Sequence, residues 1–233
     1  LYGVSFADAN NGIAVGKNGT ILRTTDGGNS WFSQFSGTTS DLRGVSFIDS
    51  LCMVVGINGT IIRSTNGGIN WDNIQQNISA SLYGVCLIDE TTGIAVGSSG
   101  KIYKTTDGGL SWENQVSGTN YYLYGVSFTD KNNGVAVGNF GTIIKTTDGG
   151  INWENISGIT TKTLYGVSFI DDNWTAVGEW GTIIRNGFLQ TSATSNMLKG
   201  VCFTDADSGI SVGWFGTITV SYTHLTLPTK RIV

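Results

Sequence analysis

The chain holds little of what familiar catalysts use. Its 233 residues include one histidine, one proline and three cysteines, and only 13% are Asp, Glu, Lys or Arg. A single histidine does not build the usual zinc sites, and no Cys-x-x-Cys occurs, so no metal centre, redox pair or other cofactor is expected. A net charge of -4 gives no electrostatic case for binding nucleic acid. No apolar run approaches the roughly 18 residues that would suggest a membrane span. No charged segment followed by an apolar one stands at Leu1, and the expectation is that the chain begins inside a longer protein. A hydrophobic fraction of 39% is too high for a disordered chain.

Glycine is what the chain has in excess. There are 34, roughly twice the ordinary share, without the proline or the three-residue period of collagen. Mixed with Thr, Asn and β-branched residues, they point to many strands and tight turns. The spacing of the sequence explains them. The tag L-x-G-V begins at Leu1, Leu42, Leu82, Leu123, Leu164 and Leu198. A Val-Gly pair follows each tag, and a further glycine closes the next turn at Gly19, Gly59, Gly100, Gly141, Gly181 and Gly216. The units lie near 1–41, 42–81, 82–122, 123–163, 164–197 and 198–219. Each full unit reads as four short strands. In the first, LYGVSF alternates as strand one, IAVG is strand two, Lys17-Asn18-Gly19 is a turn, TILRT is strand three, and Trp31 opens strand four. Four strands in about 40 residues, repeated, predict an all-β β-propeller of four-stranded blades with about six units present.

The third turn carries the most specific motif: TTDGGNSW at 24–31, STNGGINW at 64–71, TTDGGLSW at 105–112 and TTDGGINW at 146–153. An acidic or amide side chain at the head of this turn can accept backbone N–H bonds, the glycines supply positive φ, and the tryptophan covers apolar surface. Asp26, Asn66, Asp107 and Asp148, with Trp31, Trp71, Trp112 and Trp153, are therefore read as structural. Asn66 fills the same place and is neither acid nor base. Unit five lacks the motif and runs Asn186-Gly187-Phe188 instead. The motif resembles the Asp-box of bacterial neuraminidase repeats. The wider unit, L-Y-G-V-S-F-x-D…G-x-A-V-G-x-x-G-T-I-[IL]-[RK]-T-T-D-G-G-x-x-W, resembles the photosystem II stability/assembly-factor-like propellers over about residues 1–219. That resemblance implies a propeller, usually of seven blades, so six units with the last incomplete imply a fragment or a partly closed array. It also implies a non-enzymatic scaffold binding a protein partner, and a secreted or extracytoplasmic bacterial protein.

Residues 220–233 break the pattern. They hold the only His and the only Pro, and they resemble translated adaptor sequence at the end of an assembled reading frame, or else a divergent cap. They are set aside as a non-native or divergent tail.

Three groups of residues stand out as candidate binding positions. The residue after each tag leucine is Tyr2, Arg43, Tyr83, Tyr124, Tyr165 or Lys199, a mixture unsuited to a dry core. The turn after Val-Gly carries Lys17-Asn18, Ile57-Asn58 and Ser98-Ser99 in the first three units, then Asn139-Phe140, Glu179-Trp180 and Trp214-Phe215. Aromatic residues are poor turn formers, so Phe140, Trp180, Trp214 and Phe215, with Tyr124 and Tyr165 behind them, are read either as a binding patch or as packing against a neighbouring blade or a missing seventh blade. Strand three carries Arg23, Arg63, Lys104, Lys145 and Arg185, read as a local ion pair with the Asp-box or as a ring of charge for an acidic partner segment. Only the arginines would give bidentate recognition. Cys86 and Cys202 stand where Ser5, Ser46, Ser127 and Ser168 stand in other units, and are read as small core fillers.

Two other functions use the same residues. A carbohydrate-binding propeller would use the aromatic patch. A sialidase-type glycoside hydrolase would need an arginine cluster and a Tyr–Glu pair. Tyr165 and Glu179 are available, but no arginine cluster surrounds them in sequence and no Arg-Ile-Pro signature occurs. The expected protein is not an enzyme; a protein partner is favoured and a glycan is the alternative.

Overall fold

The computed structural model describes residues 1–221. It divides into two compact units, one beginning at Leu1 and ending at Gln115, the other beginning at Val116. The tail from 222 onward lies outside the described residues. Val220 and Ser221 continue a strand, pairing with Ile210 and Gly209.

Each unit holds three antiparallel sheets, and in every sheet the strands follow one another in chain order as a meander. Sheet 1 contains Gly3–Phe6, Gly12–Val15, Ile21–Thr24 and Phe32–Gln34. Sheets 2 and 3 repeat this with first strands Leu42–Ile48 and Leu82–Leu87. In the second unit the first strands are Leu123–Phe128, Leu164–Ile170 and Leu198–Phe203. Five sheets have four strands; sheet 6 has three among the described residues, ending at Ile218–Ser221. These are the blades of a β-propeller, as the repeat predicts. Trp31 falls just before strand four rather than opening it, because its indole closes the turn: Nε1 donates to Gly28 O at 3.1 Å.

Within a unit, the second strand of one sheet packs on the next sheet. Ile13 and Val15 of sheet 1 lie in one core cluster with Leu42, Phe47 and Val54 of sheet 2. Val135 and Val137 of sheet 4 cluster with Leu164, Phe169 and Trp174 of sheet 5. Strand two is apolar on both faces for this reason.

In the third turn the residue at the head accepts hydrogen bonds from within the turn. Asp26 Oδ1 accepts the Ser30 N–H at 2.9 Å and the Thr24 hydroxyl at 2.8 Å. Asn66 Oδ1 accepts the Asn70 N–H at 3.0 Å in the same way. The Ser30 N–H and the Thr24 hydroxyl lower the Asp26 pKa. The Asn152 backbone and side-chain N–H groups hold Asp148 at about 2. Burial would raise Asp107, but the Ser111 hydroxyl and N–H outweigh it and leave its carboxyl at about 2. In unit five, where the box is missing, Asn186 and Gly187 take positive φ of 48° and 86°. They form a two-residue hairpin loop between Arg185 and Phe188, the Asn-Gly connection that matches strand twist.

Two cross-sheet devices were not visible in the sequence. The serine of strand one accepts a backbone N–H from the next sheet: Ser5 from Phe47 at 3.1 Å, Ser46 from Leu87 at 3.0 Å, Ser127 from Phe169 at 3.0 Å and Ser168 from Phe203 at 3.1 Å. The expectation of small core fillers at this slot is corrected accordingly. Cys86 is only half-buried and Cys202 is exposed, because the position lies between sheets rather than inside one. The Cys86 thiol donates to Leu87 O at 3.6 Å.

The second device engages the arginines of strand three. Arg23 Nε donates to Gly67 O at 2.7 Å and Arg63 Nε to Gly108 O at 2.6 Å, each the Asp-box turn of the following sheet. Arg185 donates to Ala206 O and lies 4.0 Å from Asp207. At Arg23 this bond takes the place of the expected local pair with Asp26, because the side chain is long enough to reach the next sheet; Asn66 and Phe188 stand at that spacing from Arg63 and Arg185. Each of these guanidiniums is partly buried and engaged by a backbone carbonyl.

Candidate functional site: an aromatic rim on the second unit

The residue after the tag leucine owes its freedom to a β-bulge. Strand pairing skips one residue between Leu123 and Gly125, between Leu164 and Gly166, and between Leu198 and Gly200. The skipped residues are Tyr124, Tyr165 and Lys199. A bulged residue leaves the ladder and its side chain is re-aimed, so this slot accepts Tyr, Lys or Arg without disturbing the core. The same skip holds Arg43 in the first unit, where its guanidinium lies 4.0 Å from the Tyr2 ring centroid and 3.0 Å from Asp41.

The bulge stands beside the turn that carries the other aromatics, because Leu123, Leu164 and Leu198 pair with Gly138, Gly178 and Gly213 at the foot of that turn. The turn is the same in all six sheets. Its second residue has left-handed backbone: Asn18 54°, Asn58 56°, Ser99 55°, Phe140 54°, Trp180 57° and Phe215 57° in φ. The glycine after it runs too close to neighbouring backbone for any side chain; a Cβ on Gly141 would lie 1.9 Å from Thr160 O, and one on Gly181 1.9 Å from Thr194 O.

Left-handed backbone suits Asn and penalises a bulky residue by on the order of 1 kcal/mol. Phe140, Trp180 and Phe215 gain little burial to offset it. They are 65%, 69% and 74% exposed, and Trp214 is 53% exposed. Packing against a neighbouring sheet among the described residues therefore covers little of them.

The rings are linked along the rim. Tyr124 and Tyr165 have centroids 5.3 Å apart, and Tyr122 meets Tyr124 edge-on at 6.5 Å. The Lys199 ammonium lies 3.1 Å from the Tyr165 centroid and 5.9 Å from that of Trp214, which meets Phe215 edge-on at 6.2 Å. Tyr121 packs edge-on at 5.2 Å against Phe140, and Lys162 sits 5.6 Å from the Trp180 centroid. Tyr121 and Tyr122 were not picked out in the sequence because they precede the repeat tag and have no counterpart in the other units. A pair of aromatics directly before the tag was the available signal.

The structure brings Tyr165 and Glu179 together. The Tyr165 hydroxyl donates to Glu179 Oε1 at 3.3 Å, while Oε2 accepts the Thr163 N–H at 3.0 Å. Burial first, and then the Glu179 charge, push the Tyr165 phenol up to about 12. Burial lowers the Lys199 pKa, and Glu179 opposes that shift. Among the described residues no cluster of three metal-ligating side chains occurs, and no helix is long and apolar enough to cross a membrane.

Four-stranded meander blades with a rim of bulged and turn residues define a β-propeller repeat protein, and solved structures of that fold are similar to it. A structure described as YCF48 bound to D1 peptide is 21% identical, covers 94% of this chain and 76% of its own, and superposes with a TM-score of 0.75. YCF48 from Cyanidioschyzon merolae is 20% identical, with 95% and 81% covered and a TM-score of 0.72. The WD40 β-propeller domain of Doa1 is 14% identical, with 100% and 81% covered and a TM-score of 0.78. No curated protein matches the chain. The profile of the photosynthesis system II assembly factor YCF48 family matches residues 1–122, and the chain belongs to that family.

Proposed function

We propose that this chain is a non-enzymatic propeller that binds a protein partner through the aromatic rim of its second unit. The observation that carries the reading is the exposure of Phe140, Trp180 and Phe215 on left-handed backbone. They cost stability and stay mostly exposed, as residues kept for a contact made with another molecule do. Large, stiff rings are also what protein interfaces use as anchors. Tyr124, Tyr165 and Trp214 extend the surface. The solved YCF48 structure with a D1 peptide supports a peptide segment as the kind of partner.

The Tyr165–Glu179 pair favours binding over hydrolysis. The phenol is held protonated, Glu179 is partly committed to the Thr163 N–H, and the cation beside them is Lys199. A glycan reading draws support from the flat, exposed faces of Trp180 and Trp214. An extracytoplasmic or secreted location is proposed on the family resemblance, and the leader of the full-length gene tests it. For the partner, the D1 peptide of the solved complex and a displayed random-peptide library are the probes. Titration of wild type against Phe140→Ala/Trp180→Ala is expected to show peptide binding lost with the fold intact. Binding to a glycan array but to no peptide would replace the protein reading with the carbohydrate one.

A further inference from the structure

Tyr124 and Tyr165 stand at the bulged slots of sheets 4 and 5, which are neighbours within the second unit. The bulge re-aims both side chains out of the ladder. It leaves the two rings together, with centroids 5.3 Å apart and planes tilted by 41°. Tyr122 also meets Tyr124, but at 6.5 Å and edge-on, with planes 72° apart. Tyr124 and Tyr165 are both half-buried, so small solutes still reach them.

The Tyr165 phenol has a proton acceptor in place. Its hydroxyl donates to Glu179 Oε1 at 3.3 Å, and the Thr163 N–H on Oε2 at 3.0 Å fixes that carboxylate. A base within hydrogen-bond reach is what proton transfer requires. On the ring itself lies the Lys199 ammonium, 3.1 Å from the centroid. A cation there opposes loss of an electron alone, because the ring would become a second positive charge beside it. Loss of an electron and a proton together leaves the ring neutral, and Glu179 opens that route.

We propose that Tyr124 and Tyr165 form an oxidative cross-linking site, joined as dityrosine by a one-electron oxidant from solvent. Each phenol gives one electron to one equivalent of oxidant, which is reduced. The Tyr165 proton passes to Glu179 and the Tyr124 proton to water. The two neutral radicals couple through ring carbons ortho to the hydroxyls. The hydrogens on those two carbons move to the oxygens and restore both phenols. The product is lighter than the starting chain by two hydrogen atoms. It ties strand one of sheet 4 to strand one of sheet 5 and closes the chain between them into a covalent loop, which restricts the unfolded state. The site needs no partner and does not rest on the binding reading.

Photolysis of tris-bipyridyl ruthenium(II) with persulfate supplies the oxidant, with the whole chain dilute enough to favour products within one molecule. Digestion and mass spectrometry then map the cross-links. Wild type is expected to give the peptide pair joining Tyr124 to Tyr165 as its main dityrosine product, and to melt at a higher temperature once cross-linked. Tyr124→Phe and, separately, Tyr165→Phe should abolish that pair. Glu179→Gln removes the base and is expected to cut the yield by about tenfold or more. Lys199→Met removes the opposing cation, leaves Glu179 in place and should raise the yield. A wild-type map in which these tyrosines are joined chiefly to others, or to none, overturns the proposal. A yield unchanged in both Glu179→Gln and Lys199→Met overturns the proton-coupled route.

Discussion

Asn58 and Trp180 hold the same place in the same turn with nearly the same backbone, φ 56° and ψ 34° against φ 57° and ψ 32°. One is a residue that tolerates left-handed backbone; the other is the largest side chain available, with its ring 69% exposed. Trp180→Asn is therefore expected to stabilise the chain by about 1 kcal/mol while removing partner binding. Denaturant melts read the first effect and peptide titration the second. A destabilised variant would show that the indole makes a contact the fold needs.

Trp112 is the opposite case. It is 7% exposed, lies in the core of the first unit and donates from Nε1 to Gly109 O at 3.2 Å. Trp112→Ala is expected to cost about 3–5 kcal/mol, as large-to-small core changes do. A near-neutral melt would contradict the structural role of the Asp-box tryptophan.

The serine bond between sheets gives a third expectation. Ser46→Ala leaves the Leu87 N–H without its 3.0 Å acceptor in a partly buried place. The loss should be about 1–2 kcal/mol, with the Leu87 amide exchanging faster. Unchanged exchange would mean that the bond contributes nothing.

The Asp-box carboxylates make stability depend on acid in a defined direction. Their folded pKa values lie below the ordinary 3.8, at about 2 for Asp107 and Asp148. A depressed carboxylate stabilises the fold above its unfolded pKa, and that contribution is lost as pH falls through the folded one. Stability should thus decline between about pH 4 and pH 2. Asp107→Asn/Asp148→Asn should keep the turn, as Asn66 does, and flatten that decline. A steepened or unchanged acid limb would show that other groups control it.

Much of this fold was legible in the sequence because the repeat is written in turn chemistry. The glycines, the Asp-box and the tag-to-Val-Gly spacing each have a local physical cause, so one chain read six times over reports its own blades. The aromatic turn residues were legible as anomalies of the same kind. What stayed hidden depends on distance. Arg23 reaches Gly67 and Ser46 reaches the amide of Leu87 across a sheet boundary, and neither partner is near in sequence. The bulge at Tyr124, Tyr165 and Lys199 is a pairing irregularity; it showed only as tolerance of unlike residues. Tyr121 and Tyr122 lie outside the repeated pattern, where comparison between copies gives no warning.

The central claim is that the exposed rings of the second unit are kept for a partner. The most direct measurement selects peptides from a random displayed library on wild type, then titrates them against Phe140→Asn/Trp180→Asn/Phe215→Asn. The account predicts that the variant melts no lower than wild type and that affinity for the selected peptides falls at least tenfold. Equal affinity in the two proteins would contradict it.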